Sequence, residues 1–487
     1  ASCLVGSEMC IRDSYYRINP ENNIGLSEND ITTYKFKIDR NGDLISNMYL
    51  VFTLPDVYSD NNTEFRWIEN IGSNIVERIS VYLGGSLIDQ HYGDWFDIWS
   101  ELTLTNTKKN LYNEMIGNVL DINNPELSPK FSNYPNRSLD QSIPSIQKRI
   151  IRLPLIFWFN RNPALALPLV ALQYYPVEIQ VDFKPINDLF TVIDRYNTGN
   201  VSGSQVVTLS QTFIDTFNPT NNTKTSEGKR IKPTKNNTDY IEQNGLQNFV
   251  KSTDILTNTN NEIVNFFIDP YLDVNYIFLD NEEMNKFAKS EHKYLIDQVT
   301  KKSFQNLIGQ FTLDLKLHHP TSYLVVVAKR SDIGDINDWS NYTHWITSGN
   351  AWSSENEFFE PFVDDPTAEE EVNNTNYSIK GDENIIKSMS LTLNGVERFR
   401  ENEPDFYNKL MPFSFGEGKP KNGILFYSFA LNPFSYQPSG SCNMSRFSEI
   451  KLNVETALAP IVTGETEYMY KFDIDVYAVN YLSLIHI

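Results

Sequence analysis

Cysteine and long apolar runs are both scarce in this chain of 487 residues. Its cysteines are Cys3, Cys10 and Cys442, too few for a disulfide framework in so long a chain, so we expect a reducing compartment. The longest apolar runs, Leu153–Phe159 and Ala164–Leu172, fall well short of the roughly 20 residues that a membrane-spanning helix needs. A charged segment followed by an apolar one, which would mark a signal peptide, is also missing at the start.

Positive charge is in short supply as well, with 41 Lys and Arg against 62 Asp and Glu, and a formal net charge of -21. Proteins that bind DNA or RNA need clustered Lys and Arg, so this balance argues against a direct nucleic-acid contact. The sequence also has no Walker loop, no G-x-G-x-x-G and no G-x-S-x-G motif.

The histidines are too scattered to predict a zinc site, since none pair as H-x-x-x-H and none stand among cysteines. They are His91, His292, His318, His319, His344 and His486. The adjacent pair, His318 and His319, closes an alternating strand and therefore points to opposite faces, which favours a structural or surface role. The acidic run Asp364–Glu371 lacks the spacing of a calcium loop and is typical of a solvated loop. We predict no catalytic, cofactor-binding or metal-binding residues.

Carboxylates are abundant, so a pair of the kind that glycosidases use is not excluded by the sequence, although nothing selects one pair. Glycosylation sequons occur at Asn136, Asn200, Asn236, Asn341 and Asn443. In a chain rich in asparagine these arise by chance, and no secretion signal supports their use.

Both ends of the chain differ in character from the rest. Residues 1–14 show no periodicity and no helix-capping signal, and they resemble translated sequencing-adaptor sequence. Residues 482–487 have the same character. We expect neither segment to belong to the natural protein, which would leave Cys3, Cys10 and His486 without a chemical role.

Alternation of apolar and polar residues is the dominant pattern, as half-buried strands require. Tyr34 and Phe36 alternate with lysines, and Ile179 and Val181 alternate with polar residues. Aromatics make up 13% of the chain, and β-branched residues recur throughout, which also favours strands. The pattern predicts an all-β protein built from antiparallel sandwiches.

The chain also repeats itself. ERISVYLGG (residues 77–85) matches KSMSLTLNG (387–395), and each is followed by an acidic-aromatic element, at Asp94 and at Asp405. Three further matches follow in the same order: FNRNP with FALNP, VEIQV with SEIKL, and an Asp-Val pair at Asp273 with one at Asp475. Four matches in one order indicate two copies of one β-rich module.

A helix between the two copies is predicted at DNEEMNKFAKS, where Asp280 and Glu283 form a capping arrangement. Long polar stretches that lack a counterpart in the other copy are predicted to be surface insertions. The predicted ranges are an N-terminal module at 15–283 with insertions at 103–148 and 184–265, an inter-domain helix and linker at 284–296, and a C-terminal module at 297–481 with an insertion at 331–383.

Several blocks spread over almost the whole chain resemble the major capsid proteins of the nucleocytoplasmic large DNA viruses. They are IDRNGDLISNMYLVFTLP (38–55), RLPLIFWFNRNPALALPLVALQYYPVEIQVDF (152–183), YIFLDNEEMNKFAKSEHKYLIDQ (276–298), LTLNGVERFRENEPDFYNKL (391–410) and DVYAVNY (475–481). The resemblance implies two consecutive eight-stranded antiparallel jelly rolls, a short inter-domain helix and long surface loops. It also implies a structural protein rather than an enzyme.

The same resemblance implies a homotrimer with a pseudo-hexameric outline that meets neighbouring capsomers in an icosahedral shell. Minor capsid or penton proteins and internal membrane proteins are the further partners it implies, with outer loops that face the host or carry glycans. The implied location is the virion, assembled in the host cytoplasm. Two alternatives stay open: a scaffold or minor capsid protein of the same fold, and a two-domain β-sandwich carbohydrate-binding protein or glycosidase.

Overall fold

Antiparallel strands build almost all of this structure, a computed structural model. It describes residues 12–22, 24–59, 63–125, 144–172, 175–194, 229–231, 245–257, 263–289, 293–335, 337–344, 383–435, 437–457 and 470–486. Within these ranges no helix is long and apolar enough to cross a bilayer.

The first half of the chain, called module one, holds two main sheets. Its strands are β1 (Arg12–Ile18), β2 (Thr32–Lys37), β3 (Leu44–Leu54), β4 (Thr63–Trp67), β5 (Val76–Leu83), β6 (Ser86–Tyr92), β7 (Arg149–Pro154), β8 (Leu167–Pro168), β9 (Val177–Phe183), β10 (Phe190–Asp194), β11 (Lys229–Ile231), β12 (Ile255–Thr257), β13 (Ile263–Phe266) and β14 (Tyr271–Phe278). The main sheets have the orders β1-β14-β3-β7 and β2-β9-β5-β6, and β8 pairs with β3. Two small sheets, β11-β10-β4 and β12-β13, are separate from them.

The second half, called module two, has the same plan with connections of different lengths. Its strands are β15 (Lys293–Leu307), β16 (Gln310–Asp314), β17 (Pro320–Arg330), β18 (Ile386–Leu393), β19 (Val396–Asn402), β20 (Ile424–Ser428), β21 (Cys442–Asn443), β22 (Ile450–Thr456) and β23 (Phe472–His486). The main sheets are β15-β23-β17-β20 and β16-β22-β18-β19, and β21 pairs with β17.

Counted within the eight main strands of each module, the sheet orders are identical: first-eighth-third-sixth and second-seventh-fourth-fifth. This is the arrangement of an eight-stranded antiparallel jelly roll, in which two sheets face each other across one core. The all-β double jelly roll predicted from the sequence is thereby confirmed. The repeated segments lie on equivalent strands, since ERISVYLGG and KSMSLTLNG each cover the fourth strand and the turn after it.

Those two turns show how the repeat is encoded. Gly84 and Gly85 have φ of 57° and 80°, and Asn394 and Gly395 have φ of 50° and 78°. Two consecutive residues with positive φ make the tight hairpin turn that matches the twist of antiparallel strands, and Gly and Asn tolerate that conformation best. Each turn joins the fourth strand of its module to the fifth.

Alternation along the strands places one face of each sheet in a core, as predicted. Tyr34 and Phe36 of β2 are buried opposite Val181 and Ile179 of β9. Module two has its own hydrophobic cluster, which includes Leu391 of β18. The larger cluster fills module one and continues into one sheet of module two, so the two modules share buried surface.

Short helices connect the strands. They are α1 (Ile71–Asn74), α2 (Gly93–Thr103), α3 (Asn106–Ile116), α4 (Leu120–Asn123), α5 (Trp158–Arg161), α6 (Asn281–Lys289) and α7 (Met411–Phe415), and a π-helical turn, Phe406–Leu410, precedes α7. The predicted inter-domain helix is α6. Its cap is confirmed, because the Asp280 carboxylate accepts the Glu283 backbone N–H at 2.8 Å.

Parts of the predicted insertions are folded. Helices α3 and α4 lie in 103–148, and Tyr112 and Ile116 of α3 belong to the core of module one. Within 184–265, β10 is a strand that pairs with β4. The acidic run Asp364–Glu371 lies outside the described residues, as do Cys3, Cys10 and His292. The domain ranges themselves, including the two ends expected to be non-native, stay predictions.

Candidate functional site

Helix α2 lies at the centre of the contact between the two modules. It begins at Gly93, where a Cβ atom would stand 2.3 Å from the Val76 carbonyl oxygen, so only glycine allows this close approach. Trp95, two residues further on, stacks on Tyr477 of β23 with ring centroids 5.3 Å apart. Trp95 is only 2% exposed, so the helix is covered by module two at this point.

Charged groups cross the same contact. Asp94 Oδ2 of α2 lies 3.3 Å from Lys301 Nζ and 3.3 Å from Lys329 Nζ, both of module two. Lys301 Nζ is also 3.0 Å from Asp475 Oδ2. The carboxylate from module one therefore compensates two ammonium groups of module two, which would otherwise be enclosed in the contact without this counter-charge.

These neighbours shift the protonation equilibria. Burial alone would raise the pKa of Asp94, but the charges of Lys329 and Lys301 outweigh it and hold that pKa well below its usual range. Burial alone would lower the pKa of Lys301, yet Asp94 and Asp475 raise it above its usual value. Asp94 and Lys301 are therefore both ionised at neutral pH.

A second polar group sits further along α2. Asp97 Oδ2 accepts the Tyr342 hydroxyl at 3.1 Å, and Asp97 Oδ1 lies 3.5 Å from Lys421 Nζ. At the end of the helix, the Gly418 backbone N–H donates to the Leu102 carbonyl at 3.0 Å. A Cβ atom on Gly418 would lie 2.0 Å from the Glu101 carbonyl oxygen, so this glycine too is required by close packing.

The segment after β17, predicted as the start of an insertion, also lies on module one. Asn337 Nδ2 donates to the carbonyls of Asn187 and Phe190 at 2.7 and 2.8 Å, and Trp339 Nε1 donates to the Asp188 carbonyl at 2.9 Å. Asn337 is buried with φ of 57°, a left-handed conformation that asparagine tolerates well.

Beside α2, strand β6 of module one meets β15 of module two. The Val299 backbone N–H donates to Asp89 Oδ1 at 3.2 Å, and Gln298 Nε2 donates to the Ile88 carbonyl at 2.7 Å. Arg161 of α5 pairs with Asp297 at 2.6 Å. Side chain to backbone bonds of this kind fix the position of one module on the other.

The histidines that the sequence singled out take separate positions. His91 is buried, stacks on Phe157 at 4.4 Å and places Nε2 3.1 Å from Asp89 Oδ2. His318 and His319 line a cleft of about 350 Å³ between the modules. His344 lies 2.6 Å from the Tyr470 hydroxyl. His486 belongs to β23.

Burial lowers the pKa of His344 to about 4, and the positive charges of Arg330 and Lys387 act in the same direction. Cys442 is half-buried next to β17, and burial raises the pKa of its thiol, which disfavours the reactive thiolate. Among the described residues, no three His, Cys, Asp or Glu side chains are grouped as a metal ion would need.

Of the sequons, Asn341 is buried, and Asn443 uses its side chain to accept the Ser445 backbone N–H. Asn136, Asn200 and Asn236 lie outside the described residues.

Sequence reasoning missed the contact between the modules, although β17 carried a signal for it. Tyr323 to Ala328 form a continuous apolar run, as a strand covered on both faces does. In the structure, Tyr323, Val325 and Val327 join the cluster of module one, and the residues between them join the core of module two.

The fold and this contact define a class: an all-β chain of two equivalent jelly rolls fused through an extensive buried interface. A family model described as "Major capsid protein N-terminus" matches residues 10–217, and a second, "Large eukaryotic DNA virus major capsid protein", matches residues 283–485. The chain belongs to this family, the major capsid proteins of large eukaryotic DNA viruses.

Individual relatives agree over most of the chain. The major capsid protein of Phaeocystis pouchetii virus is 26% identical over 91% of this chain and 86% of its own length. The major capsid protein of Paramecium bursaria Chlorella virus 1 is 26% identical over 88% of this chain and 78% of its own length.

Solved structures share the fold. A quasi-atomic model of the PBCV-1 virus capsid contains a chain with a TM-score of 0.62 and 21% identity, covering 99% of this chain and 97% of that one. The Faustovirus major capsid protein gives a TM-score of 0.62 at 14% identity, covering 100% of this chain and 93% of that one.

Proposed function

We propose that this chain is a major capsid protein, the repeating structural subunit of the icosahedral shell of a large eukaryotic DNA virus. The observation that carries the proposal is the pair of equivalent jelly rolls held in one fixed relation by the α2 contact. A subunit that already contains two equivalent modules needs three copies to present six modules around one axis, and symmetric closure favours such rings. The capsid relatives described above support the same conclusion.

The mechanism is assembly, without a catalytic step. Each copy supplies two rigid modules, the α2 contact sets the angle between them, and repeated contacts between copies form a homotrimeric capsomer with a pseudo-hexameric outline. Neighbouring capsomers tile the shell, and minor capsid or penton proteins and internal membrane proteins are its further partners. Direct contact with nucleic acid is not part of the proposal. The location is the virion, after assembly in the host cytoplasm, with outer loops facing the host or carrying glycans.

Light scattering of the purified chain at micromolar concentration tests this. The expected result is a mass three times that of the 56.2 kDa chain. A monomer under these conditions would contradict the proposal. Quantification of the protein in mature particles separates a major capsid protein, which would be the most abundant component, from a scaffold of the same fold. A glycan array and a hydrolase screen test the carbohydrate alternative, for which both are expected to be blank.

A further inference from the structure

Equivalent sheets of the two modules differ in what covers their outer faces. In module two, the outer face of β15-β23-β17-β20 carries Val325, Val327 and Tyr477, and module one buries it. In module one, the outer face of β1-β14-β3-β7 carries Tyr15, which is 54% exposed, and the half-buried Tyr49 beside it at 6.3 Å. In the described part of the chain, no element covers this face to the extent that module one covers the equivalent face of module two.

The register of the strands shows that the two faces match position by position. Asp273 and Asp475 are equivalent in the repeat and lie on the eighth strand of each module. Asp273 is opposite Tyr49, and Asp475 is opposite Val327. Two residues further along, Asn275 is opposite Tyr15, and Tyr477 is opposite Lys301. Tyr15 and Tyr49 therefore stand where module two has Lys301 and Val327, two residues at the buried contact.

The element that covers the face in module two also has a counterpart. Helix α2 follows the fifth strand of module one, and the π-helical turn and α7 follow the fifth strand of module two. Where α2 is buried, this counterpart exposes large apolar side chains: Phe413 is 91% exposed and Leu410 is 53% exposed. A π-helical turn is rare and is frequent at functional sites. Large apolar side chains left in water next to each other typically mark an interaction surface.

Charge follows the same correspondence. Asp94 of α2 faces two cations of module two, and its equivalent in the repeat is Asp405, whose side chain is 55% exposed. The uncovered face of module one carries two exposed guanidinium groups. Arg17 is paired with Asp269 at 3.0 Å, whereas Arg152 has no ion pair of this kind among the described residues. The Asp405 carboxylate on one surface and the Arg152 guanidinium on the other have opposite charges, as a complementary contact requires.

We propose that the contact within one chain is repeated between chains: the end of the π-helical turn and α7 of one copy, anchored by Leu410 and Phe413, dock on the Tyr15–Tyr49 face of a second copy. Each copy then has one α7 surface and one receiving face, a head-to-tail contact that closes into a ring if the rotation fits. The inference rests on the proposed trimer and names the surface that builds it.

The test replaces Phe413→Asp in the full chain and measures the mass by light scattering at micromolar concentration. The expected result is a threefold fall in mass, from trimer to monomer. Val396→Asp is the matched control, because Val396 is 70% exposed but begins β19, away from α7, and its mass should stay that of the wild type. Near-ultraviolet circular dichroism checks that the monomer is folded, as expected for a change at an exposed position.

The receiving face is tested by cross-linking. With the three native cysteines replaced by serine, Phe413→Cys and Tyr15→Cys together should give covalently linked dimers and trimers under mild oxidation, whereas Val396→Cys with Tyr15→Cys should give none. A wild-type monomer would overturn the proposed function. A wild-type trimer that persists in Phe413→Asp, or that yields no Phe413–Tyr15 cross-link, would overturn this inference and leave the proposed function standing.

Discussion

Two elements in equivalent positions, α2 of module one and the π-helical turn with α7 of module two, have opposite surroundings. Helix α2 is buried by an aromatic stack and by ion pairs to module two, whereas α7 presents Phe413 to water. The strands before them have the same order and the same turn. The difference teaches that the duplicated fold determines the position of a helix. The side chains of that helix then determine whether it packs on its own chain or stays exposed.

The largest expected effect on stability comes from Trp95→Ala, which empties the aromatic stack on Tyr477. Removing a buried Trp side chain costs about 3–5 kcal/mol in free energy of unfolding. Phe413→Ala at the exposed helix should change the stability of a single chain by no more than about 0.5 kcal/mol. Urea unfolding followed by circular dichroism, with both proteins held dilute enough to be monomeric, measures the two. Equal losses of unfolding free energy in the two variants would contradict the contrast between a buried α2 and an exposed α7.

Next in size is Asp94→Asn, which leaves Lys301 and Lys329 buried with one carboxylate fewer. We expect a loss of about 3 kcal/mol at pH 7, against no more than about 0.5 kcal/mol for Asp405→Asn, whose partner Lys409 is exposed. The folded pKa of Asp94 is below its unfolded value, so this stabilisation is present above about pH 4 and is lost as the pH falls further. The gap between wild type and Asp94→Asn should therefore narrow in acid.

His344 gives module two a smaller pH dependence of its own. Its folded pKa of about 4 lies below the unfolded value of about 6.5, so the unfolded chain binds the proton more tightly between these values. This contribution to stability should be complete above about pH 6.5 and fall by about 3 kcal/mol as the pH drops towards 4. In His344→Gln this part of the slope should vanish. An unchanged slope in His344→Gln would contradict the assignment.

The smallest effect is expected at the connecting helix. Asp280→Ala removes the cap of α6 and should destabilise that helix by about 1 kcal/mol, seen as faster amide exchange within Asn281–Lys289. Global unfolding should not change, because the modules are held by the α2 contact and not by the linker. Glu282→Gln keeps the cap and serves as the control. A global loss in Asp280→Ala would show that the linker also holds the modules together.

Local patterns made much of the fold predictable. Alternation identified β2 and β9, the Asp280 capping signal identified α6, and the repeat gave two equivalent modules. Helix α3 was not predicted, because it has few apolar residues and its main core contacts are Tyr112 and Ile116. Its stability comes from packing that no local pattern encodes.

The contact between the modules could not be predicted from local sequence patterns either, because it depends on residues far apart in the chain. Asp94 meets Lys301 and Lys329 only after each jelly roll has closed, and none of the three stands out in the sequence. The apolar run of β17 was visible, but such a run also fits a strand buried in its own core alone. The sequence does not show that module one covers the second face of β17, because that surface forms only when the chain folds.

Strand β23 has a consequence for the order of events during synthesis. It lies between β15 and β17, so the sheet that receives α2 cannot be completed before β23 has been made. Domains fold as units from the N-terminus at about 5–20 residues per second of translation, so Trp95 waits roughly tens of seconds for Tyr477. During that interval the nascent chain exposes two surfaces suited to binding jelly rolls, α2 and the Tyr15–Tyr49 face. Premature pairing between neighbouring nascent chains would therefore begin on polysomes, where many such chains lie close together.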